Sequence, residues 1–281
     1  MGTLIADSGS TKTDWILIND PAGKQRIQSS GINPFFRTTE SIFDELQAKF
    51  QPILNRPVDE IFFYGAGIVN QDKANVVRDA LFQLFPGTAI EIHSDSLGAA
   101  RALFGREPGI SCIIGTGSNT ALYDGEKIVA GVPPLGFIMG DEGSGAVLGK
   151  KLIGDYFKNV MPANVQSLLE NRYDFTQAEI LDRVYRQERP NQFLASFAPF
   201  IAEYIERSYC HELVMTSMTE FFERNVLKLP DAAQFRIGFV GSVADAFRDF
   251  IEELAQKYGF DHPKILKEPI SELSAFHAIN Q

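Results

Sequence analysis

The apolar positions fall into short runs whose period changes along the chain. Leu4–Ala6 and Trp15–Ile18 flank a Ser/Gly/Thr turn, and Lys24–Ser30 continues them as the third strand of an antiparallel meander. The spacing then turns helical, with Ile42, Phe43, Leu46, Phe50, Ile53 and Leu54 on one face. Glu60–Tyr64 returns to strand, Ala74, Val77, Leu81, Leu84 and Phe85 mark a second helix, and Thr88–His93 is again a strand. A helix through Leu97, Ala100 and Leu103 begins at Asp95. The predicted order is β-β-β-α-β-α-β-α.

Past the breaker Gly105-Arg106-Glu107-Pro108-Gly109 the opening recurs, as strands Ile110–Ile114, Thr120–Tyr123 and Lys127–Val129. Residues 4–11, Leu-Ile-Ala-Asp-Ser-Gly-Ser-Thr, align with residues 113–120, Ile-Ile-Gly-Thr-Gly-Ser-Asn-Thr, so the second half reads as a diverged copy of the first. Residues 152–229 are predicted helical, and the stripe Phe193, Phe197, Phe200, Ile201, Tyr204, Ile205 reads as core or subunit contact. Phe235–Val240 is a strand, Gly241-Ser242 a turn, and Val243, Phe247, Phe250, Ile251, Leu254 and Tyr258 an amphipathic helix, before a closing helix at Ile270–Ile279. Two domains are expected: residues 1–108, rejoined by 270–281, and residues 109–269, carrying the helical insertion at about 152–229.

Composition narrows the function. A chain of 281 residues with 44% hydrophobic content suits two cores. The net charge of -10 and pI near 5.0, with no basic run, argue against nucleic acid as a partner. A phosphate ligand must therefore be held locally, by backbone amides, helix N-termini, a metal ion or a few placed side chains. Cys112 and Cys210 are far apart and Cys112 lies in an apolar run, so neither a disulfide framework nor a cysteine-rich metal site is expected. No apolar stretch is long enough for a membrane helix, no secretory signal is visible, and Ala6 stands where the myristoylation pattern requires Ser or Thr. A cytoplasmic, membrane-free protein is the expectation.

The familiar nucleotide loops fail. Gly145 to Gly149 is one residue short of a P-loop and Lys151 replaces its Ser/Thr, while Leu148 occupies the third glycine of the dinucleotide fingerprint. A different arrangement stands out. The turn Asp7-Ser8-Gly9-Ser10-Thr11-Lys12-Thr13 presents backbone amides, hydroxyls and an ammonium suited to phosphate oxygens, and Asp7 suits Mg²⁺ directly or through water. Alone it is a polar hairpin turn; its second copy at Gly115-Thr116-Gly117-Ser118-Asn119 changes that weighting. Asp95 at a strand's carboxyl end is either an N-cap or a carboxylate placed to take a proton from a substrate hydroxyl. Asp141 and Glu142 lie in a glycine-rich turn before a helix, either as capping acids or, for Asp141, as a second metal or substrate carboxylate. The four histidines show no ligand spacing.

Together these motifs resemble the N-acetylglucosamine kinases and the related ATPases that activate benzoyl-CoA reductase and 2-hydroxyacyl-CoA dehydratase, within the sugar kinase/Hsp70/actin superfamily. The resemblance rests on Asp7–Thr13, Gly115–Asn119, Gly140-Asp-Glu-Gly-Ser144 and Val240-Gly-Ser-Val-Ala244, in order over nearly the whole chain. It departs at Ser8 and Ser10, where glycines are frequent. It implies two ribonuclease H-like, actin-like ATPase domains around an interdomain cleft, with ATP and Mg²⁺ as cofactors. It further implies Asp95 as the catalytic base toward a sugar 6-hydroxyl, and Ser8, Gly9, Ser10, Thr11, Lys12, Thr13, Gly115, Thr116 and Gly117 at the phosphates. Gly241 and Ser242 would lie against adenosine; Asn33, Asp95, Ser118, Asn119 and Asp141 would line the sugar pocket, with Asp7 and Asp141 on the metal. The implied activity is phosphorylation of an amino sugar, N-acetylglucosamine first, by a chain that can pair as a homodimer. An ATPase activator and a sugar sensor without catalysis are the alternatives.

Overall fold

Residues 2–19, 23–54 and 56–278 are described by the computed structural model of the chain. They divide into two compact units: one holds the chain through Glu107, Gly125–Lys127 and the segment from Glu268 on, and the other holds Pro108–Asp124 and Ile128–Lys267.

The first unit is built on strands β1 (Gly2–Ser8), β2 (Lys12–Asn19), β3 (Gly23–Ser30), β4 (Glu60–Gly65) and β5 (Ala89–Ser94), in the order β3-β2-β1-β4-β5. β1 to β3 form an antiparallel meander, and β4 and β5 run parallel to β1. β1, central in the sheet, is buried along nearly its whole length, which is why its sequence is an apolar run rather than an alternation. The core on one face gathers Trp15, Phe50, Phe63 and Phe85, with the Trp15 and Phe50 rings edge-on at 4.9 Å. Helices Thr39–Lys49, Gln71–Leu84 and Asp95–Phe104 start where Thr38, Asn70 and Ser94 accept a backbone N–H. The closing helix Ile270–Ala278 packs on β1, β2 and the helix Asp95–Phe104, burying Ile270, Leu273 and His277. Residues 279–281 of the expected closing segment, Ile279 among them, lie outside the described residues, as does Met1.

The second unit repeats this plan. Strands β6 (Gly109–Ile114), β7 (Ser118–Tyr123), β8 (Ile128–Gly131), β9 (Ile237–Val240) and β10 (Lys264–Leu266) take the order β8-β7-β6-β9-β10, with the same antiparallel meander and two parallel strands. Each half is thus a ribonuclease H-like unit, and the duplication seen in sequence is a duplication of topology.

Two local expectations are corrected, and one strand was not anticipated. The aromatic stripe is two short helices, Pro190–Ala195 and Ala198–Glu203, because Pro199 has no N–H to continue the ladder. Phe197, Phe200 and Ile201 enter the unit's own core, while Phe193, Tyr204 and Ile205 are partly buried against it. The helix expected over Val243–Tyr258 divides into Ser242–Ala246 and Arg248–Lys257 at Phe247, which leaves the helical region at φ -115, ψ 34. β10 went unread since it is three residues long with only Ile265 buried, too short to carry a period.

Candidate functional site

In the first unit the parallel register aligns the carboxyl ends of three strands: Ser8 pairs with Gly65, and Gly65 with Ser94. That row carries Asp7 on β1 and Asp95 just after β5. Ligands of α/β sheets collect at such ends. Asp95 is not the N-cap; Ser94 is, through its hydroxyl and the Leu97 N–H at 3.3 Å. Asp95 instead opens the helix, its Oδ1 accepting from the Ser96 N–H at 2.7 Å.

The turn after β1 is tied closely to the loop after β3. The Ser8 and Thr13 hydroxyls are buried and 2.8 Å apart. Ser8 Oγ donates to Ile32 O and accepts from Ile32 N, while Thr13 Oγ1 donates to Ser30 O at 3.0 Å. Gly31 must lack a side chain, since a Cβ would sit 2.5 Å from Ser10 O. The hydroxyls of Ser8 and Thr13 thus build the turn, and Gly9, Thr11 and Lys12 are its exposed part. The same loop delivers Asn33, whose Oδ1 accepts from the Phe35 N–H at 3.0 Å.

In the second unit the remaining expected residues converge. The turn between β6 and β7 closes through Gly115 N–H to Gly117 O at 2.9 Å. Gly115 O and Thr116 O accept the Gly145 and Ala146 N–H groups, joining the turn to the start of helix Gly145–Phe157. Gly241, at φ 133, crosses so close to Ile114 O that a Cβ would collide with it, and this brings Ser242 to the same edge. Ser118 Oγ donates to Glu142 O at 2.8 Å, and a pocket is lined by Ser118, Asn119, Asp141, Leu135 and Met139. Gly117 faces Asp141: a Cβ there would lie 2.9 Å from Asp141 Oδ2. Asp141 itself sits at φ 54, which Asp tolerates better than most residues.

In each unit, burial shifts the candidate carboxyls. Burial pushes Asp7 up to about 7, with the Asp95 and Asp14 carboxylates adding to it and Lys12 opposing. Burial also raises Asp95, against the hydrogen bonds of Ser96, and raises Asp141, against the Ser118 N–H. Among the described residues no group of three or more His, Cys, Asp or Glu side chains could hold a metal ion. Mg²⁺ suits this setting, because it keeps waters and phosphate oxygens and needs only one or two carboxylates.

Some functional neighbours escaped the sequence. Asp14, buried on β2, is paired with Lys12 and Arg26, which also pair with Glu268. The one signal was an acid beside the apolar run of β2; Glu268, 256 residues from Lys12, offered none. Glu142 pairs with Arg224 at 2.9 Å and accepts from Asn225 at 3.2 Å, so it anchors its loop to the end of helix Ser208–Arg224.

No protein-family profile and no curated protein matches the chain. Solved structures do. A candidate N-acetylglucosamine kinase from Porphyromonas gingivalis is 41% identical, the match covering 99% of each chain with a TM-score of 0.93. A second candidate N-acetylglucosamine kinase, from Chromobacterium violaceum, is 17% identical over 98% of each chain, TM-score 0.67. MreB5 of Spiroplasma citri bound to AMPPNP is 10% identical over 100% of this chain and 96% of that one, TM-score 0.55. These last two show the fold alone.

Proposed function

Because the chain belongs to the N-acetylglucosamine kinase family, we propose that it transfers the γ-phosphate of ATP to the 6-hydroxyl of an amino sugar, N-acetylglucosamine first. The observation that carries the reading is the row of strand ends in which Asp95 stands beside Asp7 and the Ser8–Thr13 turn. In the reaction the sugar oxygen forms a bond to γ-phosphorus as the bond to the β–γ bridging oxygen breaks. The hydroxyl proton passes to an Asp95 carboxylate oxygen, and ADP leaves. A carboxyl raised by burial is a better proton acceptor than an ordinary one.

Around that step the remaining residues position. The backbone of Gly9, Ser10 and Thr11 with Lys12, and Gly115, Thr116 and Gly117, bind phosphate oxygens; Ser8 and Thr13 hold the first turn in shape. Gly241 and Ser242 lie against adenosine. Asn33, Ser118, Asn119 and Asp141 hydrogen-bond the sugar. Mg²⁺, held through Asp7 and Asp141, would neutralise charge on the transferring phosphate.

The activator alternative needs accessible cluster cysteines. Cys112 and Cys210 are both buried, and burial raises both thiols, Cys210 to about 11. Among the described residues no helix is long and apolar enough to cross a membrane.

The test is a coupled ATP assay over N-acetylglucosamine, N-acetylmuramic acid, glucosamine and glucose with Mg²⁺. Asp95→Asn should keep the fold and lose about 10²–10⁴ in kcat. A folded chain that phosphorylates none of these sugars, or an undiminished Asp95→Asn, overturns the reading; the first result with sugar binding retained would favour the sensor.

A further inference from the structure

Lys12 opens β2 directly after the exposed turn, and its ammonium is already engaged. Nζ lies 2.9 Å from Asp14 Oδ2 and also bonds Glu268 Oε1. Arg26 on β3 closes the figure, 3.1 Å from Asp14 Oδ1 and bonded to Glu268 Oε2. The result is a ring of alternating charge, two cations between two carboxylates.

The two acids are not equivalent. The Asp14 side chain is 2% exposed, and Gln28 Nε2 donates to it as well, at 3.1 Å. Freeing it would leave a buried charge without a partner, which is strongly unfavourable. The Glu268 side chain is 30% exposed and comes from the segment after β10. Its release into water costs little, because half-exposed ion pairs are weak. An anion arriving at the turn meets cations already neutralised, and Glu268 is the one acid that can give way.

We propose that Glu268 is a positioning residue for nucleotide. It holds Lys12 and Arg26 in register while the turn is empty and yields Lys12 to the phosphates when they arrive, so it sets the affinity for phosphorylated nucleotide. This rests on the assignment of the Ser8–Thr13 turn to ATP. A purely structural ring would behave differently: its loss would lower stability and leave the preference for phosphate unchanged.

The experiment titrates MgATP, MgADP and adenosine calorimetrically into the full chain as wild type, Glu268→Gln, Lys12→Met and the double variant. Glu268→Gln should tighten MgATP about two- to fivefold, MgADP less, and leave adenosine unchanged. The gain should vanish in the Lys12→Met background. An unchanged or weaker MgATP affinity in Glu268→Gln overturns the proposal, as does an equal gain without Lys12 or an equal gain for adenosine. If Glu268→Gln does not fold, Glu268→Asp, one methylene shorter, should show the same selectivity at smaller amplitude, and its absence is equally decisive. A wild type that binds neither MgATP nor MgADP refutes the kinase reading itself; a wild type that binds both beside an indifferent Glu268→Gln refutes only the role of Glu268.

Discussion

Replacing Asp7 by Asn should stabilise the first unit increasingly as pH rises. The Asp7 carboxyl is pushed from 3.8 to about 7, by burial first and then by the Asp95 and Asp14 carboxylates. Between those values the folded chain keeps a proton that the unfolded chain has released. Stability therefore falls as pH climbs through the window, and the whole penalty stands above about pH 7. At about 1.4 kcal/mol per pKa unit, the shift corresponds to a ceiling of about 4 kcal/mol. Asn mimics the protonated acid in shape and charge and escapes this penalty. From pH 5 to pH 8.5 the advantage of Asp7→Asn should widen by about 2–3 kcal/mol. Urea unfolding at the two pH values measures it, followed by fluorescence of Trp15, the single tryptophan. That residue is buried in the same unit and pairs across from Ala6 on β1, so it reports the melting of this sheet. A gain of equal size at both pH values, or a loss at pH 8.5, would refute the argument. The same variant should bind MgATP more weakly, making this a site where activity is held at a cost in stability.

Two further outcomes follow from the geometry. Gly117→Ala places a Cβ within 2.9 Å of Asp141 Oδ2, so the carboxylate must shift; because only a side-chain end has to give, stability should fall by less than about 1 kcal/mol while kcat/KM for the sugar falls at least about tenfold, and full activity in a steady-state assay would show that Asp141 does not position sugar or metal. His277 is held neutral, down to about 4, by burial and then Arg101, and its Nε2 lies 2.9 Å from the Tyr64 hydroxyl. Since the unfolded imidazole takes up its proton near 6.5, its contribution is intact above that pH and is lost as pH falls to about 4, a change of about 3 kcal/mol that His277→Gln should remove from the difference between the two acid-unfolding curves.

The parts of the fold legible in sequence were those with a period or a repeat. The strand runs of the meander, the helices of the first unit and the paired Gly/Ser/Thr turns all carry their own local signal. The convergence of Ser118, Asn119 and Asp141 on one pocket was anticipated from a motif; that Gly117 lies against Asp141 was not, because close approach leaves only a glycine as its trace. Thr13 and Ser8 read as phosphate ligands since hydroxyls suit phosphate, yet their burial turns them inward, and burial is a tertiary property. The ring around Asp14 is invisible for the same reason: its members come from β2, β3 and a segment more than two hundred residues away, which no window along the chain can join.

The closing helix has a consequence for how the protein is made. Ile270, Leu273 and His277 complete a core begun by β1, yet the ribosome delivers them only after the whole second unit. The face of β1 and β2 toward Ile270–Ala278 therefore stays uncovered until residues 108–267 have emerged. Domains usually finish in the order of their synthesis. Here the first unit begun is the last one finished.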